Sequence, residues 1–559
     1  MTVMSTDAPK RRDDGTAPNR QRHHREQFAE VVPKIARIAS HVVVWIAVLV
    51  PVAIVITRGF LPFWDDALVT IRAHEVFSLH SPGVGPQTTT STAAGGILFD
   101  PGPLMFWILA IPVRLSSVNG ALVGSAVAGG IALSVAVEAA WSKRLWVGCL
   151  GVAFAAADTL WLLPTTRLDP LWNAFFPIPF LISSIVLAWI VASGSLWWSP
   201  VLVVMGSVAI QTHLINLAPC VLLIVLAPIV GLLRMNRTPR WWWLLGTAGA
   251  VVFCWIAPVI ENFGPRGNLS ALLASGHGVR RLGATSGLDA AGSLLDWPPL
   301  WLHHMNAGFF QSLGAVFNHS SSLGVGLLIA LLVVAGVSWW KGQVALSSLS
   351  IVALAVTLGM AISFAIIPVS NVLNVTYIQV ELWPASILVA ATFGWTALWA
   401  VRALAAQLGQ PLSEVIALRM GAVGGVVAMG LVVWVLVLGL VPLRSWEAGS
   451  NSILADRSQV HLTREIANEI ERESPKGHVV YKITGPEGFW GVVGLTEGVA
   501  WRLAADGWQP GLYGSEQIDT SLYPTKDASA FKVVTKGGTL ISVTPVSCPS
   551  VPRGCKLRP

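Results

Sequence analysis

Charge is scarce in this chain. Asp, Glu, Lys and Arg make up 12% of its 559 residues, against roughly a quarter in an ordinary soluble domain. Hydrophobic residues account for 54% and the mean hydropathy is +0.65. Length alone would suggest three or four soluble domains, but this composition favours one large membrane bundle. Cysteine is scarce too, at five residues. Cys149, Cys220 and Cys254 stand in apolar runs, where a thiol serves as a small packing group. Cys548 and Cys555 flank a turn-rich stretch, 549–554, and a disulfide is expected there if that end lies outside the cytoplasm. Missing as well are an internal repeat, a low-complexity tract, a P-loop, a dinucleotide fingerprint and a serine-hydrolase elbow in a fitting context. The net charge of +7 is no nucleic-acid signal, because much of it sits in Lys10, Arg11, Arg12 and the run 20–25. That tail is too polar to fold alone. It leads into the apolar run 41–57 without a small-residue cleavage pattern, so an uncleaved anchor is expected.

What the chain has in abundance is apolar runs. Crossing roughly 30 Å of hydrocarbon takes about 20 residues, and about eleven runs approach that length. They lie near 38–58, 119–139, 145–163, 174–192, 199–212, 214–233, 241–261, 323–340, 345–367, 377–399 and 420–442. The pair meeting at Gln211-Thr212-His213 is either one broken helix or two short ones. The run Pro101–Leu115 is short and punctuated by Pro101, Pro103 and Pro112, so it is read as a half-embedded helix that does not cross. Lys and Arg then collect on one side, including Lys143, Arg144, Arg234, Arg237, Arg240, Lys341, Arg402 and Arg419, and outnumber Arg58, Arg114 and Arg444 near the other. By the positive-inside rule that side is cytoplasmic. The fold expected is an α-helical polytopic membrane protein, N-terminus in and C-terminus out. A disordered basic tail (1–37) precedes the transmembrane domain (38–442), which carries a first outer loop (59–118) and a long outer loop (262–322). A small extracytoplasmic α/β domain (443–559) follows. Within it, Ser458–Glu473 reads as an amphipathic helix burying Ile466 and Ile470, His478–Thr484 as a strand, and Phe489–Ala505 as a second helix. Phe531–Val534 and Thr539–Val543 read as a hairpin.

Polar side chains gather at the expected outer edge. Asp65 and Asp66 follow the first span directly, where an unpaired acid beside lipid is expensive and commonly functional. A carboxylate there can take a proton from an acceptor hydroxyl or hold a divalent cation; the plainer reading has Asp66 capping a helix over 67–77. Asp100 precedes Pro101-Gly102-Pro103 and follows a flexible Gly/Thr-rich stretch, so it faces a cavity or marks a turn. Arg167 and Asp169 form either a site pair or a neutralised surface pair. His213, with Gln211 and Asn216, marks a polar helix break of the kind that lines a cavity. His303, His304 and Asn306 are further candidates, without metal-type spacing. Asp158 and Glu381 lie within or beside spans, and each is expected to be paired.

A first helix followed by an outer loop bearing Asp65-Asp66, a later Pro101-Gly102-Pro103, and an Arg167/Asp169 loop together resemble the GT-C class of integral-membrane glycosyltransferases. That class includes protein O-mannosyltransferases, aminoarabinose transferases, oligosaccharyltransferase catalytic subunits and mycobacterial arabinofuranosyltransferases. The resemblance implies a bacterial plasma-membrane enzyme with a polyprenyl-phosphate-sugar donor. Its acceptor would be an envelope glycan, glycolipid or protein, and membrane lipid its surroundings. It also implies Asp65 or Asp66 as general base, the other orienting the acceptor. Substrate contacts would fall to Asp100, Arg167, Asp169, His213, Asn216, Arg266, Arg280 and Arg281, the arginines being candidates to meet the leaving phosphate. No cofactor is firmly implied; a divalent cation is a further candidate, although the Arg167/Asp169 loop lacks the fuller acidic motif of the oligosaccharyltransferase branch. A transporter or flippase of an envelope lipid, and a scaffold with a glycan-binding C-terminal domain, are the competing readings.

Overall fold

A computed structural model describes residues 17–57, 59–79, 81–88, 98–162, 170–235, 241–264, 267–275, 279–297, 299–300, 320–369, 380–408, 430, 457–474, 477–484, 488–512, 529–536 and 539–546. The first helix, α1 (Ala17–Thr57), starts well before its apolar part. The tail expected to be wholly disordered is thus helical from Ala17. Once a span has nucleated, each further residue adds one hydrogen bond, and Arg, Gln and Glu are good propagators. After the short α2 (Asp65–Glu75) come α3 (Leu104–Leu115), α4 (Gly120–Ser142) and α5 (Trp146–Ala157), the last running into a π-turn at Asp158–Leu162. The series continues with α6 (Ile178–Ala192), α7 (Ser199–Thr212), α8 (Leu217–Leu233) and α9 (Trp242–Asn262). Two short helices, α10 (Asn268–Ala274) and α11 (Gly283–Gly292), lead to α12 (Ser321–Trp340), α13 (Val344–Ala365) and α14 (Leu382–Gln407).

Among the described residues, seven helices are long and apolar enough to cross a membrane, including Val31–Thr57 of α1. This is a helical membrane protein. Three further expected spans form shorter apolar helices at Trp146–Leu160, Ile178–Ala192 and Leu196–Thr212, and 420–442 lies, but for Gly430, outside the described residues. With 12 residues, α3 is about 18 Å long, well short of the hydrocarbon thickness. The bundle core is built by facing apolar stripes, with α1 packed on α4 and α5, and α6 between α4, α7 and α8. By contrast α9 and α12 turn Phe253, Ile256, Ile260, Leu332 and Val333 outward, a surface suited to lipid tails and unsuited to water.

The C-terminal part is an α/β unit. It comprises α15 (Arg457–Glu473), β1 (His478–Thr484), α16 (Gly488–Ala505), β2 (Gln509–Leu512), β3 (Ser529–Lys536) and β4 (Thr539–Val546). The sheet order is β2-β1-β3-β4. Strand β1 pairs parallel with both β2 and β3, and β4 closes as the antiparallel arm of the expected hairpin. On α15, Leu462, Ile466, Ala467 and Ile470 are buried on one stripe, while its other face carries the charges. The apolar core of this unit does not end at its own surface. Leu61, Phe63, Ala67 and Ile71, from the stretch leading into α2 and from α2 itself, belong to the same cluster as Leu495, Val499 and Tyr481.

Candidate functional site: an acid cluster at one end of the bundle

The chain enters α2 through a strained residue. Trp64 adopts φ 54° and ψ −137°, a left-handed backbone that costs a side-chain-bearing residue about 1–3 kcal/mol and is concentrated at working sites. Its carbonyl accepts the Ala67 and Leu68 amides at 3.0 and 3.4 Å. The helix therefore opens on Asp65 itself, both acids lying in the first turn, where the helix dipole favours negative charge. This corrects the expected cap: the N-cap is Trp64, with no side-chain capping bond, and Asp66 is a buried first-turn residue. The backbone oxygen of Asp66 accepts the Thr70 hydroxyl at 2.7 Å.

Asp100 stands at the base of a hairpin. Its N–H donates to Pro86 O at 2.7 Å and its carbonyl accepts the Gly85 amide at 2.9 Å. The neighbouring Phe99 is gripped on both sides by Asn268, whose Oδ1 accepts the Phe99 amide and whose Nδ2 donates to the Phe99 carbonyl, each at 3.0 Å. The Pro-Gly-Pro turn has a steric origin. A Cβ on Gly102 would overlap the Gln211 amide and Pro258, and one on Gly85 would lie 2.7 Å from Gln211 O. Only glycine lets this turn press against the end of α7. Gln211 is itself anchored, donating from Nε2 to Cys254 O at 2.6 Å.

Two adjacent residues tie the acids together. Trp172 Nε1 donates to Asp65 Oδ2 at 2.7 Å, and Asn173 Nδ2 reaches Asp100 Oδ2 at 3.4 Å. Burial raises the Asp65 carboxyl above its ordinary range, and the Trp172 hydrogen bond opposes that shift. Asp100, 1% exposed, is pushed up to about 7, chiefly by burial; the His213 charge, Asn173 and the Leu214 amide pull it down, and the Asp65 charge pushes it further up. The two carboxylates thus feel one another, and a pair of like charges in a dry site resists losing its last proton.

The helix break at His213 completes the cluster. Thr212 ends α7, His213 is extended, and a 3₁₀ turn at Leu214–Asn216 starts the next helix, held by Ser363 Oγ on Ile215 O at 2.7 Å. His213 Nδ1 meets Glu381 Oε1 at 2.7 Å, which pairs Glu381 as expected. Asn216 is fully buried, and among the described residues neither its Oδ1 nor its Nδ2 has a hydrogen-bond partner. Leaving such an amide unsatisfied costs about 1–3 kcal/mol per group, so the site holds polar capacity in reserve.

Asp158 breaks its expectation. It is fully buried in the π-turn, and neither oxygen has a hydrogen-bond partner among the described residues. Arg280 and Arg281 are exposed on a backbone stretch that pairs with the segment after α13. Among the described residues no hydrogen bond or ion pair joins either side chain to the acids. Arg167, Asp169, Arg266, His303, His304, Asn306, Cys548 and Cys555 lie outside the described residues. Among the described residues no three His, Cys, Asp or Glu side chains are grouped to hold a metal ion. Sequence reasoning missed Trp172, Asn173 and Asn268. The first two stand just after Pro170-Leu171 in the sequence, and a tryptophan N–H near a membrane edge seeks an acceptor; that was the available signal.

No protein-family model, no curated protein and no solved structure matches the chain.

Proposed function

We propose that the protein is a glycosyltransferase of the GT-C kind, moving a sugar from a polyprenyl-phosphate donor to an envelope glycan, glycolipid or protein acceptor at the outer face of a bacterial plasma membrane. The observation that carries the reading is the pairing of Asp65 with Asp100 through Trp172 and Asn173 at the end of an apolar bundle. A lipid-borne donor needs such a place, with apolar surface for its tail beside acids that can meet its sugar. The Lys and Arg bias supports the outward placement of that end.

In this reading the acceptor hydroxyl oxygen attacks the anomeric carbon. Its proton passes to the Asp65–Asp100 pair, and the bond from that carbon to the donor phosphate oxygen breaks. A base with a titration near neutral pH is well matched to that task. Asp66, beside Asp65 at the helix start, orients the acceptor, and His213, held by Glu381, sets its charge against Asp100. The polar break between α7 and α8 is the one feature that favours transport of an envelope lipid instead. Reconstituted protein assayed with a panel of polyprenyl-phosphate sugars separates the two. Transfer that is lost in Asp65→Asn supports the enzyme. Lipid translocation without transfer, unaffected by that substitution, replaces it.

A further inference from the structure

The acid cluster has a member that does not belong to the bundle. Glu497 is carried by α16 of the C-terminal α/β unit, is 1% exposed, and its Oε1 has no hydrogen-bond partner among the described residues. Its position is set by close packing against the approach to α2. At the next residue, Gly498, a Cβ would lie 3.0 Å from Phe63 Cδ2 and 3.4 Å from Thr463 Cγ2. Phe63, Ala67 and Ile71 share one apolar cluster with Leu495 and Val499 on either side of Glu497. An acid with no reason to be dry is thus driven into the seam beside the helix that starts with Asp65.

We propose that Glu497 is a positioning residue which closes over Asp65 from the C-terminal side, making the α/β unit a structural half of the acidic site. The proposal rests on the transferase reading only for its effect on sugar transfer. Among the described residues, these titratable and polar groups belong to the elements packed around Glu497. Asp65 and Asp66 lie across the seam on α2, and Arg72 further along is engaged by Glu75 at 2.5 Å. Tyr481 on β1 donates its hydroxyl to Thr496 O at 2.5 Å, α15 presents Thr463, and on α16 itself Arg502 is paired with Asp506. None is a cation free to neutralise two acids. Burial, reinforced by the Asp65 charge, holds Glu497 protonated well above the usual carboxylate range. The docked state therefore keeps the proton that an undocked glutamate would lose. Docking is fully favoured below the ordinary glutamate range and weakens as pH rises toward the shifted titration.

Hydrogen exchange of the α2 amides in the full-length protein, corrected for intrinsic rates, tests this without any assay of transfer. In the native protein, protection of α2 is expected to fall with rising pH above the ordinary glutamate range, by up to about tenfold per pH unit until the shifted titration is passed. In Glu497→Gln that fall is expected to disappear, and in Asp65→Asn to shrink. Glu497→Ala, which removes the packed side chain, is expected to lower α2 protection at every pH. The same pH profile of protection in native, Glu497→Gln and Asp65→Asn proteins overturns the proposal. Exchange that behaves as expected in a protein lacking transfer activity retains the clamp and removes the transferase reading. Where transfer is present, Glu497→Gln shifts its alkaline limb, which a purely structural residue would not do.

Discussion

Among the described residues, two clusters of ionisable groups, one inside the bundle and one at its end, are built on opposite terms. In the first, Glu138 of α4 is satisfied on both oxygens. Arg37 of α1 donates from Nε at 2.8 Å and from Nη2 at 2.6 Å, and His41 Nε2 lies at 2.7 Å. The Arg37 guanidinium also rests over Trp141, 5.4 Å from the ring centroid. One acid is met by two bases, so the cluster has nothing left to offer a substrate. The second runs as a chain, with Glu381 and Asp100 beside His213, Asp65 beside Asp100, and Glu497 beside Asp65; Asp100, Glu381 and Glu497 each keep a buried oxygen without a hydrogen-bond partner among the described residues. Its excess of acid and unmet polar atoms is unfavourable for folding alone. The contrast teaches how to tell a structural ion pair from a working site: by whether the groups balance, not by how many there are.

Substitutions can break that contrast. The largest effect is expected from Asp65→Asn, a drop in sugar transfer of about 10²–10⁴-fold, the range for loss of a general base, with the protein still folded in the membrane. Normal transfer in this variant would dissolve the distinction between the clusters. Asp100→Asn should act through pH. The native rate is expected to fall as pH drops below about 7, where the pair becomes fully protonated. Without its acidic neighbour, Asp65 keeps its charge to lower pH, and the limb moves acid-ward. Stability gives the matching sign. Because Asp100 is raised from 3.8, its contribution is whole below that value and is lost as pH rises through about 7. Asp100→Asn should therefore gain thermal stability over the native protein across that window, by at most about 4 kcal/mol.

A smaller change is expected from Asn268→Ala, which removes both hydrogen bonds to Phe99. A destabilisation of about 1–3 kcal/mol should accompany a reduced transfer rate, read by calorimetry and assay together. The least effect belongs to the balanced cluster. Glu138→Gln should leave transfer within about twofold and cost less than about 1 kcal/mol, since the pair is partly exposed and screened. A large loss of transfer there would mean that both clusters work.

The sequence carried this architecture unevenly. Apolar length and periodicity identified the main helices, the stripe on α15 and the hairpin of β3 and β4, because burial writes itself into spacing. The neighbourhood of Asp65 and Asp66 was flagged by charge next to an apolar run. What joins them to Asp100 was hidden, because Trp172 and Asn173 are ordinary polar and aromatic residues whose role arises only from contacts across distant segments. Glu497 was hidden for the same reason: on paper it is one more acid in an amphipathic unit. The strain at Trp64 has no sequence signature at all, since positive φ is normally announced by glycine or asparagine, and here a tryptophan is forced into it. Asp158 lacks its expected partner among the described residues, because apolar context makes a partner desirable without supplying one.

The apolar cluster that straddles α2 and the C-terminal unit has a practical side. A chain cut near residue 456 would leave Leu61, Phe63, Ala67 and Ile71 facing water, and the severed fragment would display the matching greasy patch of Leu495 and Val499. Neither piece is a ready-made cassette for recombination. A chain that exchanged its C-terminal region would have to exchange the face of α2 along with it, so those two stretches have to change together.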